Sequence, residues 1–145
     1  MKRILISACL LGVNCKYSGG NNLCPQAAEL AEAYQLVPVC PEQLGGLPTP
    51  RPPAERQGEK VCAKTGADVT DAYRKGAEEA RRLGQLLQCE GALLKARSPS
   101  CGKGKIYDGS FTGTVIDGNG VTAELLEAAG IPVYTEDEIE ELERL

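Results

Sequence analysis

Ile4-Leu5-Ile6-Ser7-Ala8-Cys9-Leu10-Leu11-Gly12 stands almost at the start of the chain, and its reading decides the fold. Ile4, Leu5 and Ile6 form a continuous apolar run without polar alternation, the pattern of a strand buried on both faces of a parallel sheet. Two small residues, Ser7 and Ala8, follow the run, and then comes a thiol. Cys9 is thereby placed at the carboxyl end of a buried strand, where open α/β sheets bind their ligands.

Working outward, Leu10 to Asn22 is a loop rich in Gly and Asn, residues that accept positive φ. A helix is expected from about Pro25 through Gln35, with Ala27, Ala28, Leu30, Ala31 and Tyr34 as its apolar face. Leu36 to Cys40 reads as a second strand, with Pro38 near its start or on a sheet edge. Strand, helix and strand make a βαβ unit with parallel strands, so Cys9 and Cys40 leave the sheet at the same edge. The tract after Cys40 holds too much Pro and Gly for helix or ladder. A loop of that length in a compact domain is usually functional.

The second half repeats the theme. Lys60 to Val69 is expected as a small hairpin turning at Lys64-Thr-Gly-Ala, and Thr70 as the N-cap of a helix with Tyr73, Ala77, Ala80, Leu83 and Leu87 on one face. Gly91 to Ala96 is the third strand, and Arg97-Ser98-Pro99-Ser100-Cys101-Gly102 brings another thiol out of it. A Gly-rich loop over residues 103–118, anchored by Phe111, leads to a helix from Thr122 to Ala129 that Gly130 stops. Ile131 to Tyr134 is the fourth strand, and Glu136 to Leu145 an acidic terminal helix. The architecture expected is one α/β domain over residues 1–145: a Rossmann-like, three-layer parallel sheet in strand order 2-1-3-4, with Gly/Pro-rich loops carrying the site. Strand 1 between strands 2 and 3 would converge Cys9, Cys40 and Cys101 at one switch point.

Composition narrows the chemistry. A net charge of −4 and 4% aromatic residues oppose a nucleic-acid platform, which needs a positive field and stacking rings. The apolar runs fall short of a membrane span and no signal-peptide pattern is present, so a cytoplasmic protein with neither nucleic-acid nor membrane partner is expected. With no histidine, His-based triads and mixed Cys/His zinc sites are excluded. Seven cysteines is an odd count and no two stand as C-x-x-C, which argues for metal or reactive thiolate rather than a disulfide framework.

Three thiolates can hold a metal centre and leave one position open, as a catalytic site requires. With soft sulfur donors alone the centre is an iron–sulfur cluster or zinc, and a 4Fe-4S cube on three cysteines keeps one iron not ligated by protein. Glu42 and Ser98 lie on the same loops, with groups able to protonate or position a substrate. Arg51, Arg97, Lys103 and Lys105 are the cations expected to offset thiolate charge. For Cys62 and Cys89 a buried, hydrophobe-like thiol is the ordinary reading, and Cys15 and Cys24 lean the same way.

Three blocks of the sequence carry a resemblance: Ser7-Ala-Cys-Leu-Leu-Gly with Cys15 and Tyr17, Pro38-Val-Cys-Pro-Glu with Gly45-Gly-Leu-Pro-Thr-Pro-Arg51, and Lys95-Ala-Arg-Ser-Pro-Ser-Cys-Gly102. They resemble the signature blocks of the bacterial family, long called a domain of unknown function, that contains thiouracil desulfurase. The resemblance implies a [4Fe-4S] cluster on Cys9, Cys40 and Cys101, proton transfer and substrate positioning by Glu42 and Ser98, and non-redox desulfuration of a small thiolated compound such as a thiolated nucleobase. The chain departs from the pattern at Ser18, where members often carry Asp or Asn. Two rival readings stand beside it: a non-enzymatic cluster or zinc sensor whose fourth ligand is Cys15, and a small-molecule-binding α/β domain whose thiols are merely buried. The acceptor of released sulfide, if one exists, is not named by any residue pattern.

Overall fold

In the computed structural model, which describes residues 1–145, four parallel strands form the central sheet. They are β1 (Arg3–Ser7), β2 (Gln35–Val39), β5 (Gly91–Leu94) and β8 (Val133–Thr135). Ile4 pairs with Leu36 on one side and Gly91 on the other, and Leu93 with Tyr134. Period-2 alternation sends Ile4 and Ile6 to one face and Leu5 to the other, and all three are fully buried. Ile4 and Ile6 pack with Leu10, Ala27, Leu30 and Leu142, whereas Leu5 packs with Ala80, Ala92, Leu126 and Val133. Helices thus cover both faces, which is why the strand reads as an unbroken apolar run.

The expected strand order 2-1-3-4 is not the numbering observed, because two hairpins in the loops enter the count. The sheet runs β2-β1-β5-β8, with β1 and β5 inside it. One hairpin pairs β3 (Ala54–Gln57) with β4 (Lys60–Ala63), the other β6 (Lys105–Tyr107) with β7 (Val115–Asp117). The first turns at Gly58, whose φ of 62° suits glycine, so the main ladder forms upstream of the turn expected at Lys64. The later turn also exists, closed by Gly66 N–H to Ala63 O at 2.8 Å, but it supports only an isolated bridge between Cys62 and Asp68. Pro38 lies in the edge strand β2, where a missing N–H costs no ladder bond.

The helices are α1 (Pro25–Glu29), α2 (Pro41–Leu44), α3 (Thr70–Leu86), α4 (Val121–Ala128) and α5 (Ile139–Leu142). The first is shorter than expected and tightens into a 3-10 turn at Leu30–Glu32, since only Ala27 and Leu30 of its apolar face are buried. Thr70 opens α3 rather than capping it. Its hydroxyl serves Asp68 Oδ1 and Val61, pinning the helix start to β4. The acidic terminal segment begins with a capping box between Thr135 and Glu138, runs as a 3-10 turn over Glu136–Glu138 and is α-helical only over Ile139–Leu142.

One contact sets the site. Helix α2 lies against α3 backbone to backbone: a Cβ on Gly45 would stand 2.0 Å from Ala72 O, and one on Gly76 1.8 Å from Pro41 O. Only glycine at both positions allows this approach. It fixes the segment that carries Cys40 and Glu42.

Candidate active site

Each of the expected site residues leaves the sheet on a short, tied turn. Cys9 sits in a 3-10 turn (Ala8–Leu11) directly after β1, and the following loop returns to it through Asn22 N–H to Cys9 O at 3.0 Å and Cys24 N–H to Leu10 O at 2.9 Å. Cys40 stands between β2 and α2, and Glu42 lies in the first turn of α2. Cys101 is held by the turn after β5: Ser98 Oγ accepts from the N–H groups of Ser100 at 3.1 Å and Cys101 at 3.0 Å. The fully buried hydroxyls of Ser100 and Thr122 meet at 2.8 Å and lock that turn to the start of α4.

These turns open on one cavity of about 510 Å³ whose wall includes Cys9, Cys40, Cys101, Glu42 and Ser98 together. Cys15 shares it, as do Arg51, Lys95, Tyr73 and, contributed by the two hairpins, Glu55, Tyr107 and Phe111. Cys9, Cys15 and Cys101 are buried, at 9%, 2% and 4% exposure. Burial raises the proton affinity of the Cys9 and Cys101 thiols, opposed at Cys9 by a hydrogen bond from Asn22 and at Cys101 by one from Ser7. Burial, with neighbouring Cys40 and Cys9, pushes Cys15 up to about 12. As apo groups these thiols hold their protons, and binding a metal centre would release them.

Arg51 organises the charge. Its guanidinium donates to Cys15 O at 3.0 Å and to Thr49 Oγ1 at 3.0 Å, lies 3.6 Å from Glu42 Oε2 and 4.0 Å from Cys40 Sγ, and is 5% exposed. Burial lifts the Glu42 carboxyl above the usual carboxylate range, and Arg51 opposes the lift. Lys95 reaches the same cavity, ion-paired with Glu136 at 2.8 Å, and its charge lowers the proton affinity of Cys9.

The cations expected near the thiols divide. Arg51 is there, but Arg97 faces Asp137 at 3.8 Å, Lys103 lies 5.5 Å from the Tyr134 ring, and Lys105 pairs with Asp117. Lys95 takes the place sequence gave to Lys103 and Lys105, because β5 ends at Leu94 and the next residue turns inward. Cys62 belongs to β4 and Cys89 to the core, while Cys24 packs at the start of α1, so none of the three reaches the cavity. Ser18 is exposed and lies off the cavity wall. Asn22, Lys95, Tyr73 and Glu55 also line the cavity, beyond the residues the sequence pattern points to. For Asn22 the signal was its place in the loop that must return to Cys9; for Glu55 there was none.

No three carboxylate or thiol groups close into a set that could hold a single metal ion. Four thiols, those of Cys9, Cys15, Cys40 and Cys101, nevertheless line the one cavity, and soft sulfur donors are the ligands an iron–sulfur cluster takes.

Comparison with known proteins places the whole chain among relatives of one family. A family model described as 2-thiouracil desulfurase matches residues 4–138. The protein YbbK of Bacillus subtilis (strain 168), itself uncharacterized, is 39% identical over 149 residues, covering 96% of this chain and 99% of its own. Among solved structures, the [4Fe-4S]-dependent thiouracil desulfidase TudS superposes with a TM-score of 0.92 at 46% identity, covering 98% of this chain and 95% of that one.

Proposed function

The chain belongs to the 2-thiouracil desulfurase family, and from that membership we propose a reading of its site: Cys9, Cys40 and Cys101 hold a [4Fe-4S] cluster at which a thiolated pyrimidine loses its sulfur. The protein is an iron–sulfur-dependent enzyme of thiouracil desulfuration. The observation that carries the residue assignment is the meeting of these three thiols with Glu42 and Ser98 on one cavity wall.

Cys9, Cys40 and Cys101 would hold the cluster, which with three protein thiolates would keep one iron open and supply Lewis acidity toward a thiocarbonyl sulfur. Everything else falls to side chains. The reaction needs no oxidant: a thiocarbonyl and water become a carbonyl and hydrogen sulfide. Ser98 Oγ has both lone pairs engaged by the amides of Ser100 and Cys101, so its hydroxyl proton is free to donate to the substrate. Glu42, its proton held above the usual carboxylate range, is suited to exchange protons with the attacking water and the departing sulfur. Arg51 keeps Glu42 and the Cys40 segment in place and balances the charge of the thiolates.

The presence of Cys15 on the same wall favours a second reading, a closed four-thiol centre without an open position. Both are tested by anaerobic reconstitution with iron and sulfide followed by 2-thiouracil. Formation of uracil and sulfide by wild type and by Cys15→Ala supports the open site. A protein that carries about four irons yet yields no uracil contradicts the proposed activity, and loss of the cluster in Cys15→Ala favours the closed centre.

A further inference from the structure

Phe111 is the chain's only phenylalanine, and its backbone φ is 58°, in the left-handed region that a bulky side chain rarely occupies. Glycine, Asn or Asp is the ordinary choice there, and glycine indeed fills Gly109 and Gly113 of the same loop at φ 95° and 80°. Strain of this kind persists where the surroundings over-determine it, and it gathers at ligand sites. The surroundings here are specific. Glu55, buried at 9% exposure on β3, points one carboxylate oxygen into the loop, where it accepts from Gly109 N–H at 3.0 Å and Phe111 N–H at 3.1 Å. Gln57 from the same strand donates to Gly109 O at 2.8 Å. The loop of one hairpin is thus clamped onto the other, and the clamp places Phe111 on the wall of the cavity that the thiols also line.

A hydrophobic anchor could be built without strain from a residue on regular backbone. Phe111 is only partly buried and belongs to neither core cluster, so packing does not account for it. Tyr107, the neighbouring aromatic on this wall, sits on the unstrained strand β6. Resting on the desulfuration reading above, we propose that Phe111 is a substrate-binding residue against whose ring the planar heteroaromatic thioamide lies, and that Glu55 is the positioning residue that holds it there. Ring stacking of this sort makes the site select flat, cyclic thioamides over small acyclic ones such as thiourea.

The test uses the cluster-loaded, full-length protein. Phe111→Gly removes the ring and also relieves the φ penalty, so iron and sulfide content and thermal midpoint should stay level or rise. Calorimetric affinity for 2-thiouracil should fall about tenfold to a hundredfold, the range of a lost aromatic stack. KM for 2-thiouracil should rise in parallel, with thiourea kinetics changed less than twofold. Glu55→Ala should raise KM as well, and Glu55→Gln, which keeps an amide oxygen to accept the two N–H groups, should restore most of it. Unchanged 2-thiouracil affinity in Phe111→Gly overturns the proposal, as does an equal loss for 2-thiouracil and thiourea. If wild type binds 2-thiouracil without converting it, the desulfuration reading fails while the binding comparison still decides the role of Phe111. If wild type does not bind it, both fail.

Discussion

The two walls of the cavity are built differently. The thiol wall hangs on the ends of β1, β2 and β5, parallel strands of one sheet, and the inner two, β1 and β5, are buried between layers of helices. The rest of the lining comes in part from two separate hairpins of three- and four-residue strands, and in β7 every residue is exposed. One wall is fixed by the core, the other by single side-chain bonds such as those of Glu55, Arg56 and Gln57. In the proposed reading, the sheet-borne elements hold the metal-binding and proton-transferring groups and the less buttressed hairpins meet the substrate, the usual division between scaffold and adaptable loop.

That division can be broken from either side. The largest effect belongs to the thiols: Cys9→Ala, Cys40→Ala and Cys101→Ala should each abolish cluster retention, read as iron and acid-labile sulfide per chain, whereas Cys62→Ala should retain it. Next comes Glu42→Gln, which should lower kcat by about 10²- to 10⁴-fold with cluster content unchanged; a change below threefold would remove Glu42 from proton transfer. Gly76→Ala touches no site residue, yet its Cβ would meet Pro41 O at 1.8 Å and push α2 aside. It should cost about 1–3 kcal/mol in urea unfolding and lower activity through Cys40 and Glu42. The smallest effect lies on the hairpin wall. Arg56 donates to Asn119 O at 2.8 Å and pairs with Glu124 at 2.8 Å, tying β3 to the start of α4. Arg56→Ala should cost about 1 kcal/mol and leave the cluster intact; a loss of cluster there would dissolve the contrast between the walls.

The same contrast explains what could be read from the sequence. Apolar runs such as Ile4-Leu5-Ile6 and Ala92-Leu93-Leu94 announce buried parallel strands, and the thiols follow at their exits, so Cys9, Cys40 and Cys101 were legible from pattern. The hairpin strands Ala54–Gln57 and Lys105–Tyr107 are too short and too polar to show a period, and they form because distant side chains capture them. Glu55 is the clearest case: its partners are 54 and 56 residues away, and nothing local marks it. Lys95 was read as part of a strand, but β5 stops one residue earlier and Lys95 turns to pair with Glu136. Cys15 is six residues from Cys9 in a loop of Gly and Asn, and its place on the cavity follows from Arg51 seizing its carbonyl.

If Cys9, Cys40 and Cys101 hold the cluster, one iron stays open to the substrate. Mössbauer spectra of the ⁵⁷Fe-reconstituted protein, recorded before and after adding 2-thiouracil, test it most directly. The expected result is that one iron in four changes its signal while the other three hold theirs. Four equivalent, thiolate-ligated irons that ignore the substrate would contradict it.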